Sequence, residues 1–255
     1  MPVSDGAGEV VELGSGVERL AKGDRVATLL LQQWISGEAS YEMYAHELGG
    51  PLDGVLREYA VFPDYGLVKT PAQLTYEEAA CLPIAAVTAW HTLTEGGTRA
   101  GDMVLIHGTG GVAIFALQFA KAMGAKVIIT SSSDEKLARA KQLGADVTLN
   151  YRSQPDIGKA ALDVTGGRGV DVVVENRRRQ HAQTLARGHP ARRLCGCAGC
   201  VWSLGCRDQC GDGPYLEVRA GPRDPGWQPR PVRGHESRDR SERHPARHRS
   251  GLCLQ

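Results

Sequence analysis

One segment constrains the fold more than any other: MVLIHGTGGVAIFALQFAKAMGA, residues 103–125. A short apolar strand pattern runs through HGTGGVA into an amphipathic helix pattern closed by Gly124. Gly108, Gly110 and Ala113 stand at the three positions of a G-x-G-x-x-G/A turn. The first allows the tight turn, the second lets the backbone approach a pyrophosphate, and the third permits close packing of helix on strand. The N–H groups at the start of such a helix have no intrahelical acceptor and point at the bound phosphates. The segment therefore predicts the first crossover of a dinucleotide-binding sheet.

The surrounding rhythm agrees. KVIITS, VTLNY and VDVVVEN read as further strands, separated by the helices SDEKLARAKQLGA and QPDIGKAALDVTGG. Ser133 or Asp134 caps the first of these helices, and Gly144 ends it. Strands alternating with helices of this length imply a parallel, doubly wound sheet. Upstream, GEVVELG, GDRVATLLL and GVLREYAVFP are short Val/Leu-rich bursts bounded by Gly, Asp or Pro, the pattern of a small antiparallel β-domain. TYEEAACLPIAAVTAWHTLTEGG then takes helical spacing, with Thr75 as N-cap and Glu77 and Glu78 in the first turn. Cys81, in an apolar run of small residues, is expected to be a packed core residue.

The end of the second strand of the sheet selects the cofactor. An acid there would bond a ribose diol and repel a 2′-phosphate; this chain has Ser131, Ser132 and Ser133, with Lys136 close by. These residues favour NADP(H) over NAD(H), although Lys136 also fits a solvated helix face. Asp134 reads as a helix cap rather than a ribose ligand. His107 precedes the glycine loop and reads first as a histidine satisfied at a strand end; His46 and His91 receive no role.

SDGAGEVVELGSGVERLAKGDRVA, GGPLDGVLREYAVFP, CLPIAAVTAWHTL, the glycine-loop segment and TGGRGVDVVVE together resemble the medium-chain dehydrogenase/reductase superfamily, in particular its quinone oxidoreductase-like and zinc-type alcohol dehydrogenase-like members. The likeness covers residues 2–176 and implies an α/β chain. Residues 1–70 would be a partial GroES-like catalytic domain, beginning inside that domain at Met1, and 71–176 a partial Rossmann domain. The cofactor-binding residues implied are Thr88, Gly108, Gly110, Gly111, Val112, Ser131, Ser132, Lys136 and Tyr151; Thr88 would approach the nicotinamide end, Lys136 and Tyr151 the adenosine phosphate. No catalytic residue is assigned. Zinc-using members place a His-Glu pair where this chain has Ser4 and Asp5, and a cysteine where it has Ile84. Serine and isoleucine cannot replace imidazole and thiolate in a tetrahedral site, so no zinc is expected. The implied activity is hydride transfer between a nicotinamide and a quinone, enone or carbonyl on a small-molecule substrate. The alternatives are zinc-type alcohol oxidation, and an inert fragment or binding protein. No apolar run approaches the roughly 20 residues of a membrane span, and no secretory signal is visible. The expectation is a cytoplasmic protein with no membrane and no nucleic-acid partner, for which the family's homo-oligomer is not carried over.

Composition matters at the break after Asn176. Residues 177–255 hold sixteen arginines, no lysine, six of the seven cysteines and a net charge of +9, whereas residues 1–176 carry −8. A basic, cysteine-rich module is one reading, but Cys195, Cys197, Cys200, Cys206 and Cys210 match no paired zinc pattern. A disordered Arg/Pro/Gly tail is another. A third explains more, because arginine without lysine alongside Gly, Pro, Ala and Cys is what a GC-rich coding strand yields in the wrong frame. RRRQHAQTLARGHPARRL can be encoded so that reading one base later gives VGGNTLKRSLEAIRPGG, a family-like continuation of VVVEN. Residues 177–255 are thus expected to be a disordered tail read one base out of frame. Nucleotide sequencing across codons 170–185 should show the displaced base; an intact frame that still encodes Arg177, Arg178 and Arg179 would contradict it.

Overall fold

The computed structural model describes residues 1–37, 41–175, 193–195 and 251–254. Two sheets organise them. The first is antiparallel, built from β1 (Ala7–Leu13), β2 (Arg25–Thr28), β3 (Ala60–Pro63), β4 (Leu67–Lys69) and β10 (Gly251–Leu254), in the order β3-β10-β1-β2-β4. Val10, Val26 and Leu67 point to its inner face and are fully buried, joined by Leu20, Leu48 and Phe62. The Thr28 hydroxyl donates to the Ser4 carbonyl (3.0 Å) and accepts from the Gly6 amide (3.1 Å), which pins the segment entering β1.

The second sheet is parallel: β5 (Met103–His107), β6 (Lys126–Ser131), β7 (Val147–Asn150), β8 (Val172–Val174) and β9 (Arg193–Cys195), ordered β7-β6-β5-β8-β9. Its side chains alternate between two buried faces, as the period of a strand requires. Val104, Ile106, Val127 and Ile129 meet α2 (Val87–Glu95), α3 (Gly111–Ala122) and α4 (Asp134–Gln142) on one side. Leu105, Ile128 and Val173 meet α5 (Ile157–Val164) on the other. Ala113, Ala116 and Ala120 are the buried stripe of α3, and their small side chains let that helix sit close to the sheet.

The stretch expected as one helix from residue 75 is divided. Thr75 caps α1 (Tyr76–Ala80) in a reciprocal capping box with Glu78, as its sequence implies. Pro83, which lacks an N–H, then interrupts the ladder, and Leu82–Ala86 form a π-turn before α2. Cys81 caps α1 and is exposed, correcting the expectation of a core residue: it falls on the outer side of this break, its thiol 3.3 Å from the Glu77 carbonyl. Ser133, not Asp134, caps α4, accepting from the Lys136 amide. β4 carries too few residues to show a period in the sequence.

The tail is described only in part. Apart from 193–195 and 251–254, the expected disordered segment lies outside the described residues. Those two short pieces are strands, β9 on the edge of β8 and β10 between β1 and β3. Strand edges present unpaired N–H and C=O groups, and an extended segment satisfies them through its backbone with little demand on sequence.

Asp146 joins three elements of the parallel sheet. Its Oδ2 accepts from Lys121 Nζ (2.8 Å), at the end of α3, and from the Val127 amide (2.7 Å) in β6, while its own chain enters β7. Burial pushes the carboxyl pKa up, but the Lys121 ammonium and the Val127 amide outweigh that and hold it below the ordinary carboxylate value. A lowered pKa contributes stability that is present above the unfolded-state value and is lost as pH falls through the folded-state one. Asp146→Asn is therefore expected to lower unfolding free energy by about 1 kcal/mol near neutral pH, the side chain being partly solvated. In urea titrations the difference should vanish in strong acid; a gap that persisted there would show that the charge is not its source.

Candidate functional site

The carboxyl ends of β5 and β6 and the turn after β7 converge on one cavity. β5 ends at His107, and Gly108 turns the chain with φ +86°, a left-handed conformation that side chains rarely adopt. Gly110 is the N-cap of α3, extended (φ −83°, ψ −179°) and without a side chain to accept from the first turn. The leading amides of α3 are left to an outside acceptor, and the helix dipole favours an anion there. A Cβ at Gly110 would meet nothing within 4 Å, so the space over these amides is open.

The loop is fastened to the next strand by hydroxyls. The Gly108 amide donates to Thr130 Oγ1 (3.2 Å), and the hydroxyls of Thr109 and Ser131 share a hydrogen bond of 3.1 Å. Thr130 Oγ1 also lies 3.4 Å from His107 Nδ1. Tyr151 is brought in by its own amide, which donates to the Ser131 carbonyl (3.1 Å). His107, Gly108, Thr109, Gly110, Ser131, Ser132, Lys136 and Tyr151 line a cavity of about 280 Å³. Among the described residues the lining contains a lysine and no carboxylate. Asp134 is turned to β7, where Oδ1 accepts from Asn150 Nδ2 (2.7 Å).

Of the residues expected to hold a cofactor, Gly108, Gly110, Ser131, Ser132, Lys136 and Tyr151 meet at this cavity. Gly111 and Val112 are the first two residues of α3 beside it, Val112 packed against the core. Thr88 lies away from the lining, buried in α2 at 1% exposure. His91 is exposed on the same helix, and His46 ends a short 3-10 turn. Sequence reasoning missed Thr109, whose role depends on the spacing between two strand ends; the register of β5 on β6, His107 opposite Thr130, is what sets that spacing.

Ser4, Asp5 and Ile84 also come together. The Ser4 hydroxyl donates to Asp5 Oδ1 (2.9 Å), and the Ile84 amide donates to Asp5 Oδ2 (3.1 Å). Burial raises the Asp5 pKa above the ordinary carboxylate value, against the lowering effect of these two donors. The trio does not suit zinc: isoleucine has no donor atom, and the carboxylate is already engaged by a hydroxyl and an amide. Among the described residues, no group of three or more His, Cys, Asp or Glu could hold a metal ion.

Residues 1–72 match the alcohol dehydrogenase GroES-like domain, and residues 111–189 match the zinc-binding dehydrogenase family. The second match runs past Asn176, where the sequence reading ended the likeness. A zinc-type alcohol dehydrogenase-like protein of Schizosaccharomyces pombe is 46% identical over 178 residues, which are 69% of this chain and 51% of that protein. The quinone oxidoreductase of Pseudomonas aeruginosa is 36% identical over 175 residues, 68% of this chain and 47% of its own length. A crystal structure of an NAD-dependent alcohol dehydrogenase superposes with TM-score 0.65 at 36% identity, covering 74% of this chain and 57% of that one. The chain spans about half the length of the relatives it matches.

The open cradle predicts that stability and binding separate at Gly110. Serine is a good N-cap, so Gly110→Ser should change unfolding free energy by no more than a few tenths of a kcal/mol. Its side chain would occupy the cradle, and the dissociation constant for a nicotinamide dinucleotide, read by fluorescence titration, should rise by about tenfold or more. Equal loss of both properties would contradict the assignment.

Proposed function

The chain belongs to the medium-chain dehydrogenase/reductase superfamily, and from that premise we propose that it binds NADP(H) in preference to NAD(H) and serves zinc-independent hydride transfer between the nicotinamide and a quinone, enone or carbonyl. The observation that carries this reading is the cavity lining: α3 amides open to a pyrophosphate, with Ser131, Ser132 and Lys136 and no carboxylate where the adenosine ribose would lie. A 2′-phosphate suits hydroxyl donors and an ammonium; a ribose diol would want an acid in their place.

When bound, the nicotinamide supplies the hydride. The chain's own contribution is to hold and orient. Gly108 sets the turn, Gly110 leaves room over the α3 amides, and Thr109 with Ser131 locks the loop to β6. Lys136 stands beside the serines and is the one lysine or arginine of the lining among the described residues. Zinc independence is supported by the donor chemistry at Ser4, Asp5 and Ile84, and quinone-type acceptors by the likeness to the Pseudomonas aeruginosa quinone oxidoreductase. The competing reading is alcohol oxidation with NAD, favoured by the names of the Schizosaccharomyces pombe relative and of the solved NAD-dependent enzyme. Among the described residues no helix is long and apolar enough to cross a membrane, and a cytoplasmic setting is part of the proposal.

Titration of the full chain with NADPH and NADH separates these readings. NADPH is expected to bind more tightly, and Lys136→Ala should raise its dissociation constant about tenfold while changing that of NADH little. Quinone reduction should survive exhaustive chelation. NADH preference, or activity restored only by zinc, would favour the alcohol dehydrogenase reading, and no saturable binding of either nucleotide would favour an inert chain.

A further inference from the structure

The hydrogen bond between Asp5 and Ile84 spans the two sheets of the molecule. Asp5 precedes β1 in the antiparallel unit; Ile84 lies in the π-turn that leads into α2. That turn sits where a helix would otherwise run on from α1, and Pro83 deprives it of one amide. The Ile84 amide finds its acceptor in a carboxylate 79 residues away. The next residue, Ala85, lies under the glycine loop: a Cβ added to Gly111, the first residue of α3, would come within 3.6 Å of the Ala85 side chain. Asp5 thus reaches the phosphate cradle through one hydrogen bond and the packing of the π-turn on α3.

Two features show that the Asp5 end is held in place. Val3 adopts φ 72°, the single positive-φ residue other than glycine among the described residues, and a β-branched side chain is strained there. The surrounding backbone fixes that geometry: the Val55 amide donates to the Val3 carbonyl and the Gly54 amide to the Met1 carbonyl, both at 2.8 Å. Asp5 is also half-buried, and burial opposes its charge. A solvated surface contact would need neither strain nor a desolvated carboxylate.

We propose that Asp5 is a positioning residue, which ties the antiparallel unit to the π-turn at Ile84 and thereby sets the height of the glycine loop for cofactor phosphates. The inference rests on the reading of that loop as a nicotinamide-dinucleotide site. It assigns Asp5 no contact with substrate.

The test compares the full-length chain with Asp5→Ala, which removes the acceptor, and Asp5→Asn, which keeps one. Asp24→Asn, on the surface pair with Lys69, serves as control. NADPH affinity is measured by fluorescence, amide exchange at residues 84–93 by mass spectrometry, and melting temperature in parallel. Asp5→Ala should weaken NADPH binding about tenfold and speed exchange at Ile84 and Ala85. Asp5→Asn should restore both to within about twofold, and the control should change neither. Wild-type affinity and exchange in Asp5→Ala would overturn the tie. So would Asp5→Asn failing as badly as Asp5→Ala, because an acceptor would then be insufficient. Should Asp5→Ala not fold, exchange in the wild type decides: rapid exchange at Ile84 overturns the tie, and slow exchange supports it. Absence of NADPH binding by the wild type, with exchange at Ile84 still dependent on Asp5, would overturn the cofactor reading and leave the tie standing.

Discussion

The loop between β5 and α3 must turn left-handed at Gly108 and then leave the first amides of α3 without acceptors. Much of the structure follows from holding those amides in the open. An unpaired backbone donor is costly when it is neither solvated nor bonded, so the loop has to sit at the carboxyl edge of the sheet, over a cavity. The sheet supplies that edge by running β5 and β6 parallel and in register. The hydroxyls of Thr109, Thr130 and Ser131 then stitch the loop to its neighbour.

The two faces of the parallel sheet serve the same end. The alanine stripe of α3 brings the helix axis close to β5 and aims its N-terminus at the cavity. Asp146 locks the far end of α3 to β6 and β7. The antiparallel unit approaches from the other side, through Asp5 and the π-turn, which packs on α3. Positive helix end, hydroxyl-rich strand end and lysine meet at one cavity, to which the proposed function assigns the cofactor phosphates.

Much of this was legible in the sequence because the relevant signals are local. The alternation of short strands and helices marked the parallel sheet; Gly124, Gly144 and Ser133 marked helix ends; and Ser131 and Ser132, singled out at the end of KVIITS and just after it, line the cavity. What was not legible depends on residues far apart in sequence. The break at Pro83 left one proline to be weighed against a long helical pattern, and the outcome turned on whether a distant carboxylate would take the Ile84 amide. Cys81 reads as core in a continuous helix and is exposed once the helix is divided. Thr88 follows the same break and lies buried in α2, away from the lining. The strand pieces at 193–195 and 251–254 owe their places to open sheet edges, for which no motif is required.

The central claim is that the α3 amides hold a pyrophosphate while Ser132 and Lys136 hold a 2′-phosphate. Amide chemical shifts recorded during titration of the full chain with ADP-ribose and with its 2′-phosphorylated form test it most directly. The account predicts that both ligands shift Gly110 and Gly111, and that only the phosphorylated form shifts Ser132 and Lys136. Equal shifts at Ser132 and Lys136 with both ligands would contradict the phosphate assignment, and no shift at Gly110 with either would contradict the site itself.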